Sequence, residues 1–221
     1  MVRSVLAALV VLASVTEARG EEWETVATDP VLIKARSIPG SSIKEIWAQG
    51  EIAAPIQDVQ ATLVDVERFR EFLPYVKEAR RLGKAGSDGV QYVYTRLDFG
   101  PWISSRDYVV KVQVDRSVAR DGTGEFRNHW VAEPDRIPAR ANVIRLRVNQ
   151  GSWHVVSRGP NKSFAVYRFM VDPGGWIPAF AANAGNKQGV LDTFSAVERE
   201  AQRRAVARRK QNESARRLTP R

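Results

Sequence analysis

Val171-Asp172-Pro173-Gly174-Gly175-Trp176-Ile177-Pro178-Ala179-Phe180 is where the chain changes its hydrophobic period. Upstream, Phe164 to Val171 is rich in Val, Tyr and Phe and reads as a strand. Downstream, from a start near Pro178, Phe180, Ala184, Leu191, Phe194, Val197 and Ala201 recur at helical spacing and form one apolar stripe. The Asp-Pro-Gly-Gly string between them is turn chemistry. A sheet therefore ends here, and a long amphipathic helix that must bury one face begins.

Working toward the N-terminus, Gly, Pro, Asn and Asp punctuate the chain at short intervals, as at Pro39-Gly40, Asp88-Gly89, Gly100-Pro101, Asp121-Gly122 and Gly159-Pro160-Asn161. Between them lie runs rich in Val, Ile, Tyr, Phe and Trp, at 43–52, 90–99, 106–114, 124–132, 141–148 and 152–157. With 164–171, this spacing predicts an antiparallel meander of six or seven strands. One earlier stretch has helical period: Val59, Leu63, Val66, Phe69 and Leu73, with Pro55 as a first-turn residue and Pro74 closing the run, predict a helix over 55–72. An early and a late helix bracketing one sheet define an α+β arrangement in which the last helix closes the concave side.

The 221 residues suffice for one ordinary domain with a sizeable core. There is no Cys, which removes disulfides, thiolate metal sites and a Cys nucleophile together. With His129 and His154 the only histidines, no metal site and no cofactor are expected. Of the formal charge of +9, the stretch from Glu198 to Arg221 carries +6 and the first twenty residues +1, so residues 21–197 carry only +2. That near-neutral body, without a strand face of interleaved basic and aromatic residues, argues against nucleic acid. Residues 1–20 read as a signal peptide: Arg3, an apolar run from Val5 to Val15, then Ala18 and Gly20 placed for cleavage before Glu21, with Thr16 and Ala18 similarly placed before Arg19. The chain thus divides into a leader (1–20), a folded body (21–202) and a basic C-terminal tail (203–221) expected to fray into disorder.

Three stretches resemble a START domain, the lipid-binding branch of the helix-grip (SRPBCC) superfamily that also holds polyketide cyclases. They are Trp102-Ile103-Ser104-Ser105-Arg106-Asp107-Tyr108-Val109, similar to the family's Ser-x-Arg-Asp-Phe-Val strand, Arg145 to Val155 with its Asn-Gln-Gly-Ser-Trp turn, and the lead-in 171–180 quoted above. The resemblance spans about residues 21–200 and implies a helix-grip fold: a curved antiparallel sheet wrapped around a long C-terminal helix, with an apolar tunnel between them for one lipid-like molecule. A cavity of several hundred Å³ is expected, as is usual for small-molecule sites.

Strand parity puts Arg106, Tyr108, Val110, Val112 and Val114 on one face, which must be interior. Arg106 then needs partners: it either anchors a ligand head group, or pairs structurally with Asp98 or Glu133, or reaches solvent at the sheet edge. Over 92–99 both faces suit a pocket, so parity leaves Tyr92, Tyr94 and Arg96 against Val93, Thr95 and Leu97 undecided. Asn128 shares a face with Phe126 and Trp130, and Asn142 with Ile144 and Leu146; each amide is a ligand contact or a satisfied core group. From the helix, Phe180, Ala184, Leu191 and Phe194 face the sheet, while His129 and His154 fall on the outward parity. Access would come from movement of the helix, loosened at Gly174-Gly175, Gly185 and Gly189, or of the loop Pro134 to Pro138.

No Gly-x-Ser-x-Gly elbow and no phosphate-cradling Gly-Lys-Ser/Thr loop occurs, which argues against a serine hydrolase and a P-loop enzyme. The alternative to a binding protein is a helix-grip enzyme of the cyclase or dehydratase type, which export disfavours because such substrates usually arrive on cytoplasmic carriers. The expected protein is an exported, secreted or periplasmic monomer that binds, and in one reading transfers, a lipid or other apolar small molecule. Its basic tail would contact anionic membranes. N-terminal sequencing of the exported protein should begin at Glu21 or Arg19, and an intact Met1 there would remove the leader from this account.

Overall fold

Ten strands form one curved sheet in the computed structural model, which describes residues 22–175 and 187–218 apart from Ser42, Ala85, Ser87 and Arg120. They are β1 (Glu24–Ala27), β2 (Leu32–Ser37), β3 (Lys44–Ile52), β4 (Val76–Arg81), β5 (Val90–Leu97), β6 (Arg106–Arg116), β7 (Glu125–Ala132), β8 (Ile144–Arg145), β9 (Asn149–Ser157) and β10 (Ser163–Val171). The spatial order is β1-β2-β3-β10-β9-β7-β6-β5-β4, antiparallel throughout, with β8 alone pairing parallel to β6 off this path.

The expected meander of six or seven strands is thus corrected in two respects: β1, β2 and β4 lie outside the runs read as strands, and the last strand lies beside β3 while the chain after β3 crosses the inner face to the far edge at β4. That crossing is made by α1 (Ile56–Val64), a 3-10 turn (Val66–Arg68) and α2 (Phe69–Phe72). The single helix expected over 55–72 is broken because Asp65 leaves helical geometry (φ −87°, ψ 70°), and the crossing ends where Leu73 becomes extended ahead of Pro74. The edge strand β4 carries Lys77, Glu78, Arg80 and Arg81, charges that discourage pairing with another chain.

On the inner face, α3 (Lys187–Leu218) presses Val190, Phe194, Val197 and Ala201 against Ile46, Ala48 and Ala165 of the sheet and Val59 of α1. A second apolar cluster, Val66, Ala79, Val93, Val110 and Val112, lies toward the β4 edge. The helix is locked to α1 by charge. Asp58, almost wholly buried, accepts from Arg208 through Nε (3.1 Å) and Nη2 (2.7 Å), while Arg204 reaches Asp65 at 2.6 Å and Glu200 at 2.8 Å. Hydrogen bonds from Arg203, and with them its charge and Arg204, hold the Glu200 carboxyl below its usual range despite the opposing effect of burial.

This corrects the expected boundary between residues 202 and 203. Arg204, buried Ala205 and Arg208 dock the helix, which runs without interruption to Leu218, so the described part of the basic segment is helical and its first turns belong to the body. Replacing Arg208 with Ala strands a buried carboxylate and should cost about 2 kcal/mol, or about 4–8 °C in melting temperature by calorimetry. An unchanged melting temperature would show the pair to be dispensable.

Candidate functional site

Between the two apolar clusters the inner face is left unfilled, and a cavity of about 150 Å³ remains. Strands supply its floor: Val93 and Thr95 from β5, Tyr108, Val110 and Val112 from β6, Trp130 from β7. Trp153 of β9 and Tyr167 of β10 complete an aromatic wall, their rings stacked at 4.2 Å and 10°. The roof is the crossing segment, through Leu63, Val66, Phe69, Phe72 and Leu73, with Thr193 and Val197 of α3 beside it. The cavity is smaller than the several hundred Å³ expected, and the aromatic wall and the roof phenylalanines are among its lining residues.

Polar groups enter this space at few points. Asn128 and Gln91 are buried: the Asn128 Oδ1 accepts the Trp153 backbone N–H at 3.1 Å, and the Gln91 Oε1 accepts from Arg81 Nε at 2.9 Å. The Trp130 indole donates to Asn149 Oδ1 at 2.9 Å. Burial pushes the phenols of Tyr108 and Tyr167 upward, with Thr95 hydrogen-bonded to Tyr108 and the two phenols reinforcing the shift at Tyr167. Gly151 faces the same wall: a Cβ there would meet the Trp130 ring and the Arg168 carbonyl oxygen, each at 2.4 Å.

The sequence-predicted residues separate by where they lie. Tyr108, Val110, Val112, Asn128 and Trp130 line the cavity together, and the undecided parity of β5 resolves in favour of Val93 and Thr95 inward. Phe194 and Leu191 stand behind the wall: Phe194 is buried 5.3 Å from Trp153, and Leu191 packs on the main core. Asn142, Ile144 and Leu146 do not meet the cavity. The strand expected over 141–148 shrinks to the two residues of β8, and Asn142 sits exposed on a turn with a left-handed backbone (φ 61°). The Asn149-Gln150-Gly151-Ser152-Trp153 string, read as a turn, is the start of β9 instead. Phe180 and Ala184 lie outside the described residues. The roof residues were visible as an apolar stripe in the sequence, but nothing in it told a stripe that closes a core from one that closes a void.

Arg106 is buried at the end of the sheet and is not among the cavity-lining residues described. Its guanidinium donates to carbonyl oxygens of Ser104 (2.5 Å), Pro173 (3.4 Å) and Gly174 (3.3 Å), so it holds the lead-in turn to α3, with neither Asp98 nor Glu133 among these partners. Burial draws its pKa downward. On the other face Asp107, fully buried, takes a two-pronged bond from Arg145 (2.7 and 3.1 Å), which also donates to the carbonyls of Pro134, Ile137 (3.0 Å) and Pro138 (3.3 Å). The loop at 134–138, one of the two expected gates, is thereby pinned on the outer face. His129 is exposed and His154 pairs with Glu125 at 2.7 Å, both off the cavity as parity required.

A curved sheet gripping a C-terminal helix around a mostly apolar cavity defines a helix-grip domain. The chain belongs to the polyketide cyclase/dehydrase and lipid transport family, whose model matches residues 52–197, and its relatives by sequence and structure place it with the START domains. It is 26% identical over 206 residues to an uncharacterised protein of Pseudomonas aeruginosa, covering 92% of this chain and 98% of that one. It is 25% identical to the phosphatidylcholine transfer protein of Rattus norvegicus over 77% of this chain and 79% of that one. A STAR-related lipid transfer protein from Xanthomonas axonopodis superposes with a TM-score of 0.67 at 26% identity, over 81% of this chain and 98% of that structure.

The Gly151→Ala variant tests the wall. Its methyl group cannot be accommodated without moving Trp130 or the β10 backbone, and the overpacking should cost about 1–3 kcal/mol. Denaturant titration followed by Trp fluorescence should show both the loss and an altered native spectrum; a wild-type midpoint would mean the wall is loosely packed.

Proposed function

We propose that this protein binds one lipid or other apolar small molecule in the cavity between the sheet and α3, and carries it between membranes. The observation that supports binding is the cavity itself, lined mainly by apolar and aromatic side chains in a member of a lipid-transport family. The binding reading is also favoured over cyclase or dehydratase chemistry by the lining, in which no carboxylate, imidazole or ammonium group occurs among the described residues. A ligand larger than about 150 Å³ needs the roof to part from the floor, and the roof residues Phe69, Phe72 and Leu73 are only half-buried.

We further propose that the protein is exported after removal of residues 1–20, acts as a monomer, and meets anionic membranes through the distal part of α3. Arg204 and Arg208 are occupied by Asp65 and Asp58, so the tether would rest on exposed residues such as Arg199, Arg209 and Lys210 and on the arginines beyond them. Each basic residue near an anionic surface contributes about 1 kcal/mol. The test of binding is native mass spectrometry of the purified protein, with extraction and identification of whatever co-purifies. A single apolar adduct at one-to-one stoichiometry is expected, and an adduct-free protein that takes up no lipid or other apolar small molecule from vesicles or solution would overturn the reading.

A further inference from the structure

The cavity described above has an unusual chemical property for a site offered to membrane lipids: none of its described lining residues carries a charge. The segment 176–186, which leads into α3, contains no ionisable side chain either (Trp-Ile-Pro-Ala-Phe-Ala-Ala-Asn-Ala-Gly-Asn). The cation that touches the lining, Arg81, spends its guanidinium on the Gln91 oxygen, Glu67 and the Val64 carbonyl; buried Arg106 donates to three backbone carbonyls, and Asp107 is held by Arg145 on the opposite face of the sheet. A phosphate or carboxylate drawn into this space would therefore be desolvated without a counter-charge, a cost that far exceeds what hydrogen bonds from neutral groups return.

What the cavity does present is neutral hydrogen-bonding capacity beside aromatic faces. The oxygens of the Gln91 and Asn128 amides are occupied by Arg81 and the Trp153 backbone, and neither amide nitrogen has a protein partner among the described residues. Tyr167 adds a phenol, and Tyr108, hydrogen-bonded to Thr95, a second one. These neutral groups line the same space as Trp130, Trp153 and Tyr167, whose rings favour flat partners.

Resting on the ligand-binding reading, we propose that the occupant is an uncharged, ring-bearing molecule whose buried polar atom is a neutral oxygen, a hydroxyl or carbonyl, and that lipids with charged head groups are excluded from the cavity. A neutral donor of the lining donates to that oxygen, and the aromatic wall stacks on the ring.

Titration calorimetry of the delipidated mature protein with naphthol, naphthalene and naphthoate separates the terms, since the three share rings and differ in the oxygen and its charge. Naphthol should bind about 2- to 12-fold more tightly than naphthalene, the range of one net neutral hydrogen bond. Naphthoate should bind at least about 100-fold more weakly than naphthol, reflecting an unpaired buried charge. The Tyr167→Phe and Gln91→Leu variants are read as the ratio of naphthol to naphthalene affinity in the same protein, and one of them should bring that ratio down to about one. Equal or tighter binding of naphthoate, or stoichiometric uptake of phosphatidylcholine from vesicles with no naphthol binding, overturns this inference and leaves the ligand-binding reading standing. Binding of none of these probes by a protein that also co-purifies with no apolar molecule removes both.

Discussion

Two neighbouring residues of β6, Arg106 and Asp107, hold the two halves of this fold in register. Adjacent positions in a strand point to opposite faces, so the guanidinium of Arg106 takes the carbonyls of the turn that leads toward α3 while the carboxylate of Asp107 takes Arg145 of β8 on the outer face. Neither charge can be left alone in its surroundings, since an unpaired buried charge costs several kcal/mol. Their demands therefore specify where the chain before α3 and the chain before β8 must lie. With both ends tied, β6 presents Tyr108, Val110 and Val112 inward at fixed positions.

The outer loop also explains why β5 and β6 are buried on both faces. Arg136 stacks over the ring of Tyr92 at 4.0 Å and Arg140 over that of Tyr94 at 5.2 Å, with Arg80 on the same Tyr94 ring at 5.0 Å. Tyr94 is fully buried beside Asp107, and burial, then that carboxylate, raises its phenol pKa. A sheet covered this way on its outside does not bend readily, which places any change in cavity volume on the crossing segment and α3 rather than on the strands.

A void of this size in an otherwise close-packed interior is not neutral. Its lining atoms lack packing partners on one side, and those lost dispersion contacts weaken the empty protein. Gly151 maintains the void in part, because any larger residue would push the Trp130 ring, and the ion pairs between α1 and α3 maintain the rest by fixing the helix at its distance from the floor. Stability is restored when a ligand supplies the missing contacts, so occupancy and rigidity of this protein are linked.

The amino-acid sequence alone determined the class of fold. Period-two runs broken by turn residues and two period-3.6 stripes allow little besides a sheet closed by a helix, and the parity of β6 and β7 alone placed Tyr108, Val110, Val112, Asn128 and Trp130 on the interior. Those are local properties, carried by residues two to four apart. Which interior positions touch a void, which arginines are spent, and which face of β5 turns inward were decided only in three dimensions. Arg208 meets Asp58 across 150 residues and Arg145 meets Asp107 across 38, and no spacing rule pairs them. The Ala141–Val148 run is a strand only at Ile144–Arg145, with Asn142 on the exposed turn ahead of it. Within that strand Arg145 meets Asp107 both in the parallel ladder and through its side chain, a long-range pairing that no local pattern encodes.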